Sequence, residues 1–329
     1  MARALVQRRP DAVLIVSPPL GLGISGVMLG RFWGVPYVLH VPDLQPDAAV
    51  DLGMLSHGPL VRSLYALERF TYRNAALIST LTEAMRQRIV SKGIPPDNVK
   101  LFSDWPAPEL FRIAVDDNGA SFRRGHALDK SFLVLHSGNM GYKQGLDVVL
   151  DVAELSRNDS QITYLLVGNG AAEESLKQRA STLALDNVHF LPLQSQSDFI
   201  DLLAASNVAL ITQQRTVADI VFPSKTLTLM AAGRPLIACV NAESEVAKAV
   251  REARAGLVVE PENPRALFNA IEMLRDNPTE RRQMGRHARE YARTRWDRDR
   301  ILTQTTTQLE ALIGSSVSSH PALIRTALN

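Results

Sequence analysis

Short apolar runs rich in Val, Ile and Leu alternate along this chain with longer segments of helical pattern. That alternation restricts the fold more than any other feature. The runs fall at Ala12–Ser17, Pro36–Val41, Ala76–Thr80 and Val99–Ser103, then at Phe132–His136, Ile162–Val167, Val188–Leu191, Val208–Thr212, Leu236–Val240 and Leu257–Glu260. A strand apolar throughout its length must be covered on both faces. When a helix separates each strand from the next, the sheet is parallel and the class is α/β. Helices are expected at Leu22–Trp33, Pro59–Arg73, Thr82–Lys92, Pro278–Arg295 and Arg300–Ile313. Another opens at Asn263-Pro264, with proline at the first helical position, and runs to Asp276.

Two segments interrupt the pattern. His40-Val-Pro-Asp-Leu-Gln-Pro-Asp47 reads as a loop. Residues 113–130 are polar and irregular, with Asp116-Asp117-Asn118-Gly119 and Arg123-Arg124-Gly125, and read as an interdomain linker. The expected organisation is a first domain over 1–112, the linker, a second domain over 131–295, a helix over 296–313 and a loose tail over 314–329. A chain of 329 residues with 46% hydrophobic content suits two such domains.

Composition excludes several classes. A net charge of +2 does not suit nucleic acid as a partner. The seven histidines are scattered without metal-ligand spacing, so no metal and no cofactor are expected. The single cysteine, Cys239, lies in a core strand, which suits a reducing cytoplasm. Residues 12–30 are interrupted by Pro18-Pro19 and three glycines and are followed by Arg31. They therefore read as strand, turn and helix rather than as a leader or a membrane span.

Candidate site residues gather at expected strand ends. Phe132–His136 runs into Ser137-Gly-Asn-Met-Gly-Tyr-Lys-Gln-Gly145, and Ile162–Val167 runs into Gly168-Asn-Gly170. Ligands of open α/β sheets bind at carboxyl ends, where glycine lets backbone N–H groups approach phosphate or sugar. Pro223-Ser224-Lys225 reads as a helix start with Ser224 as cap and a lysine in the first turn, a setting that suits a diphosphate. Gly233 suits the C-terminal cap and Pro235 the stop. Alone, Pro-Ser-Lys reads first as an ordinary helix start with an exposed lysine. With both glycine loops on the same sheet edge, it forms a nucleotide site. Gly21-Leu-Gly-Ile-Ser-Gly26 fits a dinucleotide fingerprint but is set off from its strand by Pro18-Pro19-Leu20, so a helix with small residues packed on the sheet competes with it. Asp297-Arg-Asp299 and the arginines from 281 to 300 read as a solvated charge run that could face anionic lipid.

The order Ser137-Gly-Asn-Met-Gly141, Leu166-Val-Gly-Asn-Gly170, Phe190-Leu-Pro-Leu193, Pro223-Ser-Lys225, Met230-Ala-Ala-Gly-Arg-Pro235 and Ala255-Gly-Leu-Val-Val-Glu-Pro261 resembles glycosyltransferase family 4. The group that builds bacterial surface polysaccharides, such as colanic acid, is the most similar. Arg9-Pro-Asp-Ala-Val13, Val35-Pro-Tyr-Val-Leu39, Val41-Pro-Asp-Leu-Gln-Pro-Asp47 and Glu68 with Tyr72-Arg-Asn-Ala-Ala76 match the same group. The resemblance implies a GT-B fold of two Rossmann-like domains, a nucleotide-diphosphate sugar donor held by the second domain, an acceptor held by the first, no required metal, and retaining transfer. It implies that Gly138, Asn139, Lys143, Gly168 and Gly170 lie near the donor, that Lys225 and the N–H groups around Ser224 stabilise the diphosphate, and that Thr228 faces the ribose. Asp43 would touch acceptor or donor sugar, or else only cap its own loop.

Three departures accompany the match. Family members begin with further βα units before the segment matching Arg9-Pro-Asp11, so the first domain is expected to be incomplete and the chain truncated relative to the family. The family's paired glutamates fall on Ile220 and Thr228, with Asp219 one position away from the first. Its diphosphate-neutralising Arg and Lys fall on Asn139 and Gln144, leaving Lys143 and Lys225 as nearby cations. The expected function is hexosyl transfer to a lipid-linked or growing saccharide, in the cytoplasm or peripherally at the inner face of the cytoplasmic membrane. A sugar-nucleotide epimerase and a truncated pseudoenzyme that binds donor without turnover are the alternatives.

Overall fold

The structure, a computed structural model, describes residues 8–51, 55, 58–216 and 223–319. The chain divides into two compact units: one built from the segment up to Asp104 and from Arg298 onward, the other from Trp105–Ala218 and Pro223–Asp297.

The first unit holds a parallel sheet of order β1-β2-β3-β4, formed by β1 (Val13–Val16), β2 (Tyr37–Val41), β3 (Leu77–Thr80) and β4 (Val99–Leu101). Its connections carry helices Leu22–Trp33, Gln45–Asp51, Pro59–Arg73 and Glu83–Ser91. Residue alternation along the strands divides the apolar side chains between two faces. Leu39, Ile78 and Val99 join Val27, Met85 and Ile89 in one cluster. Val38, Leu77 and Phe102 face the other way, against Leu309 and Leu312 of helix Arg298–Ser319.

The glycines of Gly21-x-Gly23-x-x-Gly26 serve packing. A Cβ on Gly26 would overlap the Tyr37 ring, and one on Gly23 would meet Thr71 at 2.6 Å. They seat helix Leu22–Trp33 on the sheet, which is the second of the two readings. Thr82 caps its helix by accepting from the Met85 N–H at 3.2 Å. The segment expected as a loop up to Asp47 is partly helical, because Pro46 suits a first turn and helix Gln45–Asp51 begins there.

That early helix start places Asp47 in a buried ion cluster. Lys92 Nζ donates to both carboxylate oxygens of Glu68, at 2.7 and 2.8 Å, and also to Asp47. Arg88 Nε donates to Asp47 at 3.1 Å. The two carboxylate side chains are 2–3% exposed.

The second unit holds a parallel sheet of order β10-β9-β8-β5-β6-β7. Its strands are β5 (Phe132–Ser137), β6 (Ile162–Val167), β7 (Val188–Leu191), β8 (Val208–Thr212), β9 (Leu236–Cys239) and β10 (Gly256–Val259). The chain starts at the centre with β5, moves outward through β6 and β7, then returns to β8 on the other side. The switch point therefore lies between β5 and β8. Asn263 caps helix Pro264–Asp276 by accepting from the Ala266 N–H.

Four features differ from the sequence expectations. The span 113–130 contains helix Ala120–Gly125. Arg123 from that helix is buried and donates to the carbonyls of Asn118, Leu128, Ser131 and Ala205, which explains why a polar stretch orders against the sheet. Ser224 has helical angles, φ −56° and ψ −26°, and its side chain makes no capping bond to helix Lys225–Ala231. The arginines of helix Pro278–Arg295 are only partly solvated. Arg281 donates to the carbonyls of Leu274 and Arg275, and Arg289 to those of Ala231 and Ala232, next to Gly233 at φ +67°. The last helix begins at Arg298 and continues to Ser319, beyond the expected end at Ile313. Among the described residues no helix is long and apolar enough to cross a membrane.

Replacing Lys92 with alanine leaves two buried carboxylates facing each other. We expect Lys92→Ala to lower unfolding free energy by about 3–5 kcal/mol, read as a lower urea midpoint. An unchanged midpoint would show that the cluster contributes nothing to stability.

Candidate functional site

At the carboxyl edge of the second unit's sheet, two loops meet backbone to backbone. The Gly138 N–H donates to Val167 O at 2.9 Å, Met140 N–H to Asn169 O at 2.7 Å, and Ala172 N–H to Met140 O at 2.8 Å. Gly138, Gly168 and Gly170 have φ of +118°, +138° and +156°, which side-chain-bearing residues rarely adopt. A Cβ on Gly168 would overlap the Gly138 carbonyl, and one on Gly170 would overlap the Asn139 side chain and the Met140 backbone. The loops after β5 and β6 thus fit together only with glycine at these positions.

Across the switch point, the Gln214 N–H donates to Lys143 O at 2.9 Å, joining the loop after β8 to the loop after β5. Asn139 is exposed beside the interlock and Lys143 is half-buried in the turn Tyr142–Gln144. The start of helix Lys225–Ala231 comes in from the β8 side.

Lys225 is the chemical centre of this arrangement. Its Nζ is buried and has no hydrogen-bond partner among the described residues. It lies 3.9 Å from the space a Cβ on Gly138 would fill. Burial, with Lys143 adding repulsion, pushes its ammonium down to about 8. His136 lies fully buried in β5. Burial first, then Lys225, hold its imidazole well below the ordinary range, so it stays neutral; its polar neighbours are the Asn139 backbone and that ammonium. Gln144 Oε1, Thr212 Oγ1 and Thr226 Oγ1 are also buried without partners at this edge. A buried polar group left unsatisfied costs about 1–3 kcal/mol. Several such groups at one strand-end edge call for an explanation beyond packing.

The sequence-predicted residues divide as follows. Gly138, Asn139, Lys143, Gly168, Gly170, Ser224, Lys225 and Thr228 all belong to the second unit, and the interlock and helix start bring them to one edge. Thr228 is half-buried one turn beyond Ser224, whose carbonyl accepts from the Thr228 N–H at 3.4 Å. Asp43 belongs to the first unit, in the loop that follows β2. Asp219 and Ile220 lie outside the described residues. His136, Thr212 and Thr226 were not among the expected site residues. Nothing in a buried apolar strand or a short helix distinguishes a polar residue that faces a ligand from one satisfied in the core.

A parallel sheet with this strand order, and glycine loops at its switch point, is a Rossmann-like nucleotide-binding architecture. The family models agree with that class. "Glycosyl transferases group 1" matches residues 119–291, and "Glycosyl transferase 4-like domain" matches residues 1–105. The chain is 31% identical over 308 residues to the putative colanic acid biosynthesis glycosyl transferase WcaI of Escherichia coli K12, covering 91% of this chain and 74% of that one. It is 27% identical to the probable glycosyltransferase WbjE of Pseudomonas aeruginosa, covering 80% of this chain and 66% of that one. Anabaena HepE, solved in complex with UDP-glucose, superimposes with a TM-score of 0.75 at 20% identity over 91% of this chain and 78% of that one. The chain belongs to the group 1 glycosyltransferases, with the α/β fold of two Rossmann-like domains known as GT-B.

Two expectations follow from the site. Gly168→Ala should lower the melting temperature and abolish nucleotide binding by calorimetry, because strain of about 1–3 kcal/mol adds to the overlap with Gly138. The depressed Lys225 makes a pH prediction. The unfolded chain holds that proton up to its ordinary value of 10.5, whereas the folded chain releases it near 8, so the folded state is penalised below pH 8. Stability should rise between these values by up to about 3 kcal/mol. The difference between wild type and Lys225→Met in urea unfolding isolates this contribution, and a flat difference across the window would refute it.

Proposed function

We propose that this glycosyltransferase moves a sugar from a nucleotide-diphosphate donor to a lipid-linked or growing saccharide, with retention of anomeric configuration, in bacterial exopolysaccharide biosynthesis of the colanic acid kind. The observation that carries this reading is the buried ammonium of Lys225 facing Gly138, without a partner among the described residues. Sugar transfer leaves a nucleoside diphosphate, so negative charge develops on the bridging oxygen as the glycosidic bond breaks. A preorganised cation and backbone N–H groups in a dry site stabilise that charge more than they stabilise the bound donor. Lys225 is the cation for this step, Lys143 the second positive charge, and the N–H groups of Asn139, Gly170 and Ser224 the donors, while Gly138 and Gly168, whose N–H groups bond to Val167 and Leu191, lie beside the donor. Thr228 faces the ribose, and we assign Asp43 to the acceptor or donor sugar.

Three further facts support the reading. HepE has been solved with UDP and with UDP-glucose. The Escherichia coli relative is named for colanic acid biosynthesis. Nucleotide sugars are charged and cytoplasmic donors, which suits a chain working in the cytoplasm or at the inner face of the membrane.

Lys225→Ala should reduce donor affinity and turnover by roughly a hundredfold or more, measured with a panel of UDP- and GDP-sugars and a polyprenyl-linked saccharide. Donor affinity in the wild type should weaken as pH rises above about 8, because Lys225 is charged only below its own value. Unchanged turnover in the variant removes Lys225 from the mechanism. Isomerised donor without acceptor would instead indicate an epimerase, and binding without any turnover a pseudoenzyme.

A further inference from the structure

The opposite edge of the second unit's sheet has a pocket of its own. It encloses about 190 Å³ at the amino ends of β8 and β9, which Asn207 and Pro235 precede. Five steps of about 3.3 Å along β8, from Asn207 to Thr212, put roughly 16 Å between it and the candidate site. Its walls are closely fitted. A Cβ on Gly119 would come within 2.4 Å of the Ala205 backbone, and one on Gly285 within 2.4 Å of the Gly233 carbonyl. Close-packed interiors keep few voids larger than a water, and this one has room for several.

The lining is cationic. Arg123, Arg234, Arg281 and Arg282 border the pocket, against two carboxylates, Asp116 and Asp117. Asp116 pairs with Arg286 instead, at 3.3 Å, and Asp117 Oδ1 accepts from the Gly119 N–H at 2.9 Å. No ion pair joins any of the four arginines to a carboxylate among the described residues. Arg123 and Arg234 donate to backbone carbonyls, which satisfy their N–H groups without cancelling their charge. Arg281 is only half satisfied. Its Nη1 donates to the carbonyls of Leu274 and Arg275, and its guanidinium lies 5.1 Å from the centre of the Phe132 ring. Its Nε and Nη2 have no hydrogen-bond partner among the described residues, nor does the exposed Arg282. Burial, then the charges of Arg282 and Arg123, lower the proton affinity of Arg281, and burial, then Arg289, push Arg234 down to about 10. Like charges gathered in this way disfavour one another until a counter-charge joins them.

We propose that this pocket binds a phosphate group, carried by inorganic phosphate or by a phosphate monoester. A guanidinium presents paired, coplanar N–H groups that match two oxygens of an oxyanion. Arg281 supplies Nε and Nη2, Arg282 a second fork from the rim, and Arg123 and Arg234 fixed positive charge behind them. A carboxylate has two coplanar oxygens and engages one fork. A phosphate has further oxygens and a second charge, which suits two forks backed by two more cations. The site lies on the edge away from Lys225 and stands whether or not Lys225 holds a nucleotide sugar.

The test is calorimetric titration of the full chain with inorganic phosphate and, separately, with glucose 1-phosphate, at constant ionic strength set with chloride. Binding should persist in Lys225→Met, which removes the cation of the other edge. Arg282→Gln should weaken it about tenfold, as the loss of a charge-assisted hydrogen bond does. Arg281→Lys keeps the charge but not the fork and should also weaken it about tenfold. Arg281→Gln/Arg282→Gln should abolish it. Phosphate should raise the melting temperature of wild type and leave that of the double variant unmoved. Circular dichroism checks that the variants fold, and the exposed Arg282 tests the site even where a change at Arg281 unfolds the chain. Binding of either probe supports the site, and the tighter one names the source of the phosphate group. The proposal falls if wild type binds neither probe, or if Arg282→Gln and the double variant bind as wild type does. It also falls if Lys225→Met alone removes binding, since the phosphate then sits at the carboxyl edge. Phosphate binding at the arginines in a chain that transfers no sugar refutes the proposed function alone.

Discussion

The apposition of two main-chain segments, the loops after β5 and β6, is the constraint on which the candidate site depends. Gly168 lies so close to the Gly138 carbonyl that no side chain fits, and the bonds from Gly138 to Val167 and from Met140 to Asn169 hold the loops in register. The consequence is a rigid edge with backbone groups, rather than long side chains, at the surface. Rigid donors need no reorganisation when charge develops near them, which is where electrostatic catalysis gains its advantage. The same closeness leaves space beside Gly138 that the Lys225 ammonium approaches.

The buried cations of this chain fall into two kinds. Lys92, Arg123 and Arg234 are surrounded by acceptors: carboxylates for the first, carbonyls for the others, including Ala204, Ala114 and Val115 around Arg234. Such groups complete the folded state. Lys225 has been desolvated without such partners among the described residues, and it is this lack of acceptors that sets it apart, since burial lowers the proton affinity of Arg123 and Arg234 as well. Strain or unmet polarity kept in a folded protein points to function more than satisfied burial does. By this criterion the carboxyl edge of β5 and β8 differs from every other buried ionic group described.

Much of the architecture was legible from periodicity. Every described strand falls within two residues of its expected position, because parallel strands separated by helices are apolar along most of their length, even at the edge strand β1, where Leu14 and Val16 are exposed. Helix starts were legible where the chemistry is local, as at Thr82 and Asn263, both of which cap their helices in the structure. Ser224 shows the limit of that reasoning: its type is right for a cap, but its own backbone is already helical. The helices at Gln45–Asp51 and Ala120–Gly125 were illegible because short polar helices are held by distant partners. Asp47 depends on Lys92 and Arg88, and Arg123 on the carbonyls of Leu128, Ser131 and Ala205.

The candidate site divides in the same way. Glycines at strand ends announce close backbone approach, so Gly138, Gly168 and Gly170 could be named from their positions alone. The amino-acid order by itself determined the α/β class, the parallel strands, the loops that bear the site and the family resemblance, since all of these follow from local pattern and spacing. Only the tertiary structure decided that Lys225 is buried without a partner among the described residues, that His136 stands neutral beside it, and that Gly23 and Gly26 serve helix packing. Each of those depends on which residues, distant in the chain, become neighbours and on how much water remains between them.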